Sequence, residues 1–403
     1  MTGTSRLLAA SGPGLADHLA QFGEMPTPTA ELIATIDAAG LSGRGGAGFP
    51  TARKMATVTG SRAVVVGNGA EGEPLSRKDA TLLTRSPHLV LDGLDAAADA
   101  VGADKVYLYV HPEGSGAVTS ALEERRAAGL DSHRVTVVQA PDRFVAGEES
   151  AAISRIEGGP ALPRDRTVVA AVSGVRGRPT LVNNVETLAN IALIGRFGSD
   201  WFRTVGDPDD PGTMLVTLSG ALNAAVVEVP TGIPLTELLA HPGGADLHNL
   251  RAVLVGGYHG TWLSPEELPV ARLSRSALKP LGATPGAGIV HALDNSECGL
   301  GRTAEIARYL ADQSARQCGP CLNGLPRLAE LLDQLAFGRA SDDLVREIRR
   351  MVRLVDGRGS CRHPDGTARM VRSALHTFAG DIEWHRQGRC AAGETATGSS
   401  ALH

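Results

Sequence analysis

The chain has 403 residues, of which 42% are hydrophobic, 21% charged and only 3% aromatic, so Ala, Val and Leu must fill its cores. A net charge of −5 with no long run of one sign gives no footing for nucleic-acid binding, and no apolar run approaches a membrane span in length. The length implies more than one domain, and the first residues lack the apolar stretch of a secretory signal, so the sequence reads as cytoplasmic.

Residues 1–28 are polar and broken by Pro and Gly. Thr29–Gly40 has the apolar spacing of an amphipathic helix and delivers the chain into Gly43-Arg-Gly-Gly-Ala-Gly-Phe-Pro-Thr-Ala-Arg-Lys54. Four glycines between positions 43 and 48 free the backbone to take positive φ and to approach a ligand closely. Successive N–H groups in such a loop form a concave site for phosphate oxygens, and Arg44 and Lys54 bracket it with positive charge. Gly43, Gly45 and Gly48 meet the G-x-G-x-x-G spacing. The Rossmann fingerprint, however, follows a strand, whereas a helix precedes this loop. A phosphate loop of another kind is expected, with a ligand-free turn as the alternative for the glycines alone.

Further along, Ala63–Gly67 reads as a buried strand that empties into the polar loop Asn68–Pro74. Helix Leu89–Val101, strand Lys105–Val110, helix Gly116–Ala128 and strand Val135–Val138 follow. Strands alternating with helices predict an α/β layer with a mostly parallel sheet, whose ligand site gathers loops at the carboxyl ends of the strands. Asn68–Pro74 and Phe144–Ser150 are such loops. Thr180–Thr187 is predicted to open a further helix; its amides Asn183 and Asn184 suit either the edge of a ring or sugar, or a helix cap. The style changes at Asp207–Gly212, where a boundary is placed. A hairpin pair at 214–220 and 226–230, a helix at 234–240 and a strand at 251–255 then form a small α+β module. Residues 264–292 read as loop, followed by amphipathic stretches at 301–313, 324–335, 341–355 and 367–384 that predict a helical bundle. The expected division is an α/β domain at 1–206, a module at 207–270, a bundle at 271–390 and a disordered tail at 391–403.

All five cysteines lie in the last third. An odd, clustered set in a chain without an export signal reads poorly as disulfides and better as a metal or cluster site. Cys318-Gly-Pro-Cys321 offers two thiolates at the mouth of a helix, and Cys361 follows in a Gly-rich loop. Zinc would call for a second C-x-x-C or a His pair, so the spacing favours an iron–sulfur cluster. Cys390 reads as irrelevant.

With these pieces in order, the chain resembles the NADH-oxidising flavoprotein subunit of respiratory complex I and the diaphorase subunits of NAD-linked hydrogenases and formate dehydrogenases. The likeness runs from about Leu41 to Trp384. It is carried by Gly43–Thr51 with Lys54, Asn68 with Glu71-Gly-Glu-Pro74, Lys78-Asp79, Pro87-His88, Gly147-Glu-Glu149, Glu157-Gly158, Gly177–Thr180 and Asn183–Thr187. The resemblance implies FMN held by Gly43, Arg44, Gly45, Gly46, Lys54, Asn68, Glu71, the turn Gly147, Glu148, Glu149, and the pair Asn183, Asn184. It implies NADH beside Phe49, Glu73 and Phe144, a ubiquitin-like β-grasp module of the SLBB type, and a bundle carrying one [4Fe–4S] cluster. The implied activity is hydride transfer from NADH or NADPH to FMN, then single-electron passage through the cluster to a partner, a ferredoxin-like or other redox subunit. No nucleic-acid partner and no membrane insertion are implied; the location is cytoplasmic or peripheral to a membrane complex.

The chain departs from the family pattern at Ala70, Met55, Phe144 and Arg166–Ala170, all but Met55 on the NADH side. In Ser314-Ala-Arg-Gln-Cys-Gly-Pro-Cys321, Ala315 stands where the first cluster ligand belongs. The fourth ligand is then Cys298, or a nearby oxygen or nitrogen group, or it is absent and the cluster is [3Fe–4S]. Two alternatives to an NADH-oxidising subunit stay open: an FMN/Fe–S relay that no longer oxidises NADH, and a structural homologue without cofactors.

Overall fold

A computed structural model describes residues 5–26, 31–58, 62–165, 168–338 and 340–392. Thr29, Arg166 and the end of the expected tail, 393–403, lie outside them. Contacts divide the chain into two compact units, the first running through Val216 with Val226–Ile233 added, the second comprising Thr217–Ala225 and the chain from Pro234 onward.

The first unit opens with α1 (Leu15–Phe22), α2 (Leu32–Ala39) and α3 (Thr51–Thr57), the Gly-rich loop lying between the last two. Then β1 (Ala63–Gly69), α4 (Lys78–Arg85), α5 (Pro87–Val101), β2 (Ala103–Val110), α6 (Pro112–Ala128) and β3 (Val135–Gln139) alternate as expected. Proline at the first helical position starts α5 and α6, where its missing N–H is no loss. After α7 (Glu149–Ile156) comes a strand that the sequence hides: Thr180–Asn184 is β4, and the helix α8 (Val185–Arg203) begins only after it. The sheet has the order β3-β2-β1-β4 with every pairing parallel.

Central β1 is buried on both faces, which explains its unbroken apolar run. Val65 packs with Leu94 of α5 and Leu188 of α8, while Val64 and Val66 face Tyr109, Ile153 and Val182. Leu89, Leu94 and Leu188 are fully buried, each contributing about 1.5–3 kcal/mol relative to exposure. A short ribbon of β5 (Gly206–Asp207) and β6 (Asp210–Pro211) follows α8.

β7 (Thr213–Gly220) runs from the first unit into the second, and β8 (Ala225–Pro230) returns to the first, beside β7 in the strand order. The second unit continues with α9 (Leu235–Ala240), β9 (Leu250–Val255), β10 (Thr261–Leu263), α10 (Arg275–Leu278) and β11 (Ile289–Asp294). β11 falls in the stretch read as loop and assigned to the bundle, yet it pairs parallel with the second half of β7 and antiparallel with β9. Its flanking Gly/Pro turns disguise a strand whose first five residues are buried.

Helices α11 (Gly299–Asp312), α12 (Leu325–Phe337), α13 (Asp342–Val355), α14 (His363–Thr377) and α15 (Ala379–Arg386) complete the chain. The last predicted helix is thus two, broken at Phe378. α13 shows why these segments are helical: Ser341 Oγ accepts the Leu344 N–H (3.2 Å), Asp342 and Asp343 fill the first turn, and Val345, Ile348, Met351, Val352 and Val355 bury one stripe. α11 packs on α12 and α14, and α13 on α12 and α14. No described helix is long and apolar enough to cross a membrane.

Candidate functional site

The strand order places β2 and β3 on one side of β1 and β4 on the other. A parallel sheet leaves a ligand crevice beyond the carboxyl ends of its strands at such a reversal. There Gly67 and Asn68 stand in register with Asn183 and Asn184. Asn68 Nδ2 donates to the Gly147 carbonyl (2.9 Å) and its Oδ1 accepts the Ala70 N–H (3.1 Å). Asn184 donates to the Asn68 carbonyl (3.1 Å) and to Asp79 (2.6 Å), and its Oδ1 caps α8 at the Glu186 N–H (3.1 Å). Asn183 differs. It is 6% exposed and its Nδ2 has no hydrogen-bond partner among the described residues. Such an orphaned donor costs about 1–3 kcal/mol, so the position fits an acceptor brought by a ligand.

The Gly-rich loop closes at its base, the Gly43 N–H donating to the Phe49 carbonyl (3.0 Å) and the Thr51 N–H to Leu41 (2.9 Å). Gly46 (φ 102°) and Gly48 (φ 63°) occupy conformations that side chains disfavour, and a Cβ on Gly45 would stand 3.1 Å from Asn184 Cβ. The loop therefore lies against the β4–α8 junction. Arg44, expected to face a phosphate, does not: its buried guanidinium binds Asp210 (3.0 Å) and the Pro211 carbonyl (2.8 Å), and its N–H donates to Thr187 (2.9 Å). It anchors the loop instead. Lys54 keeps its ammonium half-buried between Glu149 (2.8 Å) and the Val182 carbonyl (2.5 Å).

The loops after β1 and β3 touch backbone to backbone. A Cβ on Gly72 would lie 2.0 Å from the Phe144 carbonyl oxygen, and one on Gly147 would lie 2.7 Å from that of Ala70. Glu71 caps α4 by accepting the Asp79 and Ala80 N–H groups (3.0 Å each), and Glu148 caps α7 through Ser150 (2.8 Å) and Ala151 (3.1 Å). Glu73 and Phe144 are half-buried in these loops, while Phe49 stands 51% exposed with the Arg53 guanidinium 6.0 Å from its ring.

Beneath the crevice lies a network that the site reading missed. Lys78, fully buried, pairs with Asp79 (2.6 Å) and Glu186 (2.9 Å) and donates to Asn184 (3.1 Å). Burial pushes its ammonium down, but Asp79, Glu186 and Glu71 outweigh this and hold it above the ordinary lysine range. Glu186 also accepts the Leu215 N–H (3.0 Å). The signal was available: Lys78-Asp79 and Glu186 stand in the matched motifs.

In the second unit Cys318, Cys321 and Cys361 come together around the π-turn Pro320–Gly324. Burial raises the Cys318 thiol, but N–H groups of Ser360 and Cys321 outweigh it and lower the thiol below its usual range. Burial, together with neighbouring Cys318 and Cys361, pushes Cys321 up to about 12. A bound cation reverses that repulsion. Thiolates gathered in this way can each bind a separate iron of a cluster. Ser314, beside Ala315, has a buried hydroxyl without a partner among the described residues.

Cys298, expected as a possible fourth ligand, has other metal-ligating neighbours. It caps the start of α11, and the helix's 14 residues carry the chain about 21 Å before it reaches Ser314. Its neighbours are His385 and Cys390, the latter drawn in from the segment read as irrelevant.

A crevice at a sheet reversal with an orphaned amide, and downstream a trio of neighbouring thiols, suit a redox subunit that holds a flavin nucleotide and an iron–sulfur cluster. Residues 36–193 match the Nuo51 FMN-binding domain family, and residues 301–385 the NADH-ubiquinone oxidoreductase-F iron-sulfur binding region. The second NADH-quinone oxidoreductase F-type subunit of Rhizobium meliloti is 30% identical over 381 residues, covering 89% of each chain. The NADP-reducing hydrogenase subunit HndC of Solidesulfovibrio fructosivorans is 30% identical over 88% of this chain and 76% of its own. The crystal structure of an NAD+-reducing [NiFe]-hydrogenase in the air-oxidised state aligns with a TM-score of 0.81 at 31% identity; it covers 89% of this chain, which spans 64% of that one. The chain belongs to the family of NADH-quinone oxidoreductase F-type subunits.

Proposed function

We propose that this chain is an electron-input subunit that takes a hydride equivalent from NADH or NADPH at FMN and passes single electrons through its iron–sulfur site to a redox-protein partner. The observation that carries the reading is Asn183, whose buried, unpartnered amide lies at the sheet reversal, one residue before Asn184, against which the Gly-rich loop packs. FMN, when bound, supplies the conversion between two-electron and one-electron transfer. The chain's own residues hold and orient it. The Gly45–Gly48 backbone takes the phosphate, Lys54 adds positive charge at the mouth, and Asn183 donates to the acceptor that it lacks. Asn68, Glu71, Glu148, Glu149 and Asn184 position the loops by the bonds described above. Phe49, Glu73 and Phe144 form the face for the nicotinamide nucleotide.

The same reading divides the chain into an FMN domain (1–206), a ubiquitin-like SLBB-type module (207–270) that takes its central strand from β11, and a helical bundle bearing Cys318, Cys321 and Cys361. The subunit acts without membrane insertion of its own, peripheral to whatever complex receives its electrons, and a ferredoxin-like partner suits its single cluster.

Anaerobic titration of purified protein with NADH and with NADPH tests this, followed by optical and EPR spectra and flavin and iron analysis. Bleaching of flavin absorbance by one of the nucleotides is expected. Flavin that reduces with dithionite but with neither nucleotide identifies a relay, and protein lacking flavin and iron overturns the reading altogether.

With only three thiolates at the cluster, Ala315→Cys restores the missing ligand. Its expected result is one more iron per cluster and the EPR signature of a reduced [4Fe–4S] centre in place of an oxidised [3Fe–4S] one. Identical iron counts in the two proteins would show that a non-thiolate group already completes the site.

A further inference from the structure

A second group of metal-ligating side chains lies in the second unit, distinct from the trio Cys318, Cys321 and Cys361. The ligand atoms of Cys298, His385 and Cys390 all lie within 4.8 Å of one another, His385 being buried and the cysteines half-buried. Cys298 is the N-cap of α11; His385 lies in the last turn of α15, and Cys390 follows the turn that ends that helix. The turn returns the chain by a Gly388 N–H bond to the His385 carbonyl (3.1 Å) and an Arg389 N–H bond to the Trp384 carbonyl (3.0 Å). Arg389 is fixed there, stacked 4.3 Å over the Trp384 ring. Residues distant in sequence thus converge on one point.

The surroundings have the form that metal ligands require. His385 Nδ1 lies 3.3 Å from the Leu335 carbonyl, which holds the proton on that nitrogen and leaves the Nε2 lone pair directed at Cys298 Sγ, 3.5 Å away. Cys298 Sγ accepts the Gly301 N–H (3.3 Å) at the start of the fourteen-residue helix α11, which fixes the sulfur in place. A tetrahedral zinc ion with usual Zn–S and Zn–N lengths sets its sulfur and nitrogen ligands about 3.6 Å apart. The observed separation already matches.

We infer that Cys298, His385 and Cys390 bind one Zn²⁺, with water as the fourth ligand. Two thiolates and an imidazole suit zinc in tetrahedral coordination. Binding releases the two thiol protons and leaves the ion and its protein ligands neutral overall. The ion clamps the start of α11 to the chain beyond α15, a role in no electron-transfer step.

Zinc K-edge absorption and metal analysis of the full-length protein, prepared with Zn²⁺ in the medium, test the site without interference from flavin or iron. About one zinc per chain is expected, with two sulfur ligands at about 2.3 Å and two nitrogen or oxygen ligands at about 2.0–2.1 Å. Cys298→Ser and Cys390→Ser should each weaken zinc affinity more than ~100-fold, beyond the usual cost of an outer-shell loss, with flavin and iron unchanged. Should either variant fail to fold, differential alkylation of the unsubstituted protein decides: zinc shields Cys298 and Cys390, and chelation exposes both. Three or more sulfur ligands at zinc, zinc retained in both variants, a Cys298–Cys390 disulfide, or a protein that takes up no zinc overturns the assignment.

Discussion

Replacing Lys78 with methionine is expected to destabilise the first unit by about 3–5 kcal/mol, because the carboxylates of Asp79 and Glu186 would then be buried without their cation. Both groups are at most 5% exposed in their side chains, so water cannot screen them. That loss is a large fraction of the usual stability of a domain, about 5–15 kcal/mol. The damage also reaches the crevice, since Lys78 and Asp79 together fix the Asn184 amide beside the loop. Denaturant unfolding and flavin content measure the two effects. Adding Glu186→Gln to the methionine variant should recover part of the stability. A loss below about 1 kcal/mol would mean that the network contributes little, as exposed ion pairs do.

Gly72→Ala is expected to be the most damaging small substitution at the site. Its Cβ would stand 2.0 Å from the Phe144 carbonyl oxygen, a backbone atom that no rotamer change can move. The two loops must part, at about 3 kcal/mol or more, and the turn bearing Gly147–Glu149 moves with them. FMN titration of flavin-depleted protein should show affinity lower by about tenfold or more, equivalent to about 1.4 kcal/mol. Gly116→Ala, within α6, is the control. A Cβ there meets nothing within 4 Å, and alanine is expected to be neutral or to stabilise by about 0.5–1 kcal/mol. Equal flavin affinity in both variants would remove the loop contact from the account of the site.

The alternating α/β layer was legible because β1, β2 and β3 are apolar runs bounded by turns. β4 was not, because two of its five residues are asparagines, a type depleted in strands, placed there by the site rather than by the sheet. β11 was hidden by its Gly/Pro neighbours. The Gly-rich loop and the amides beside it could be read from composition and order, but not the hold of Asp210 on Arg44, since Asp210 lies far along the chain. The thiolate trio was legible from spacing, whereas Cys298 and Cys390 could not be matched. Their meeting depends on how α11 and α15 pack and on the turn at Gly388, which no local pattern encodes.

The hold on Arg44 has a consequence for how such a subunit can be cut, fused or exchanged between complexes. Its partners, Asp210 and Pro211, follow α8, and further on the Glu228 carboxylate of β8 accepts the N–H groups of Arg6, Leu7 and Leu8 and the Thr213 hydroxyl. A fragment ending at 206 would strand a guanidinium and release the amino-terminal segment together. The transferable cassette therefore extends through Ile233, and a recombination joint placed earlier severs the loop's anchor even though every glycine of the cradle is retained.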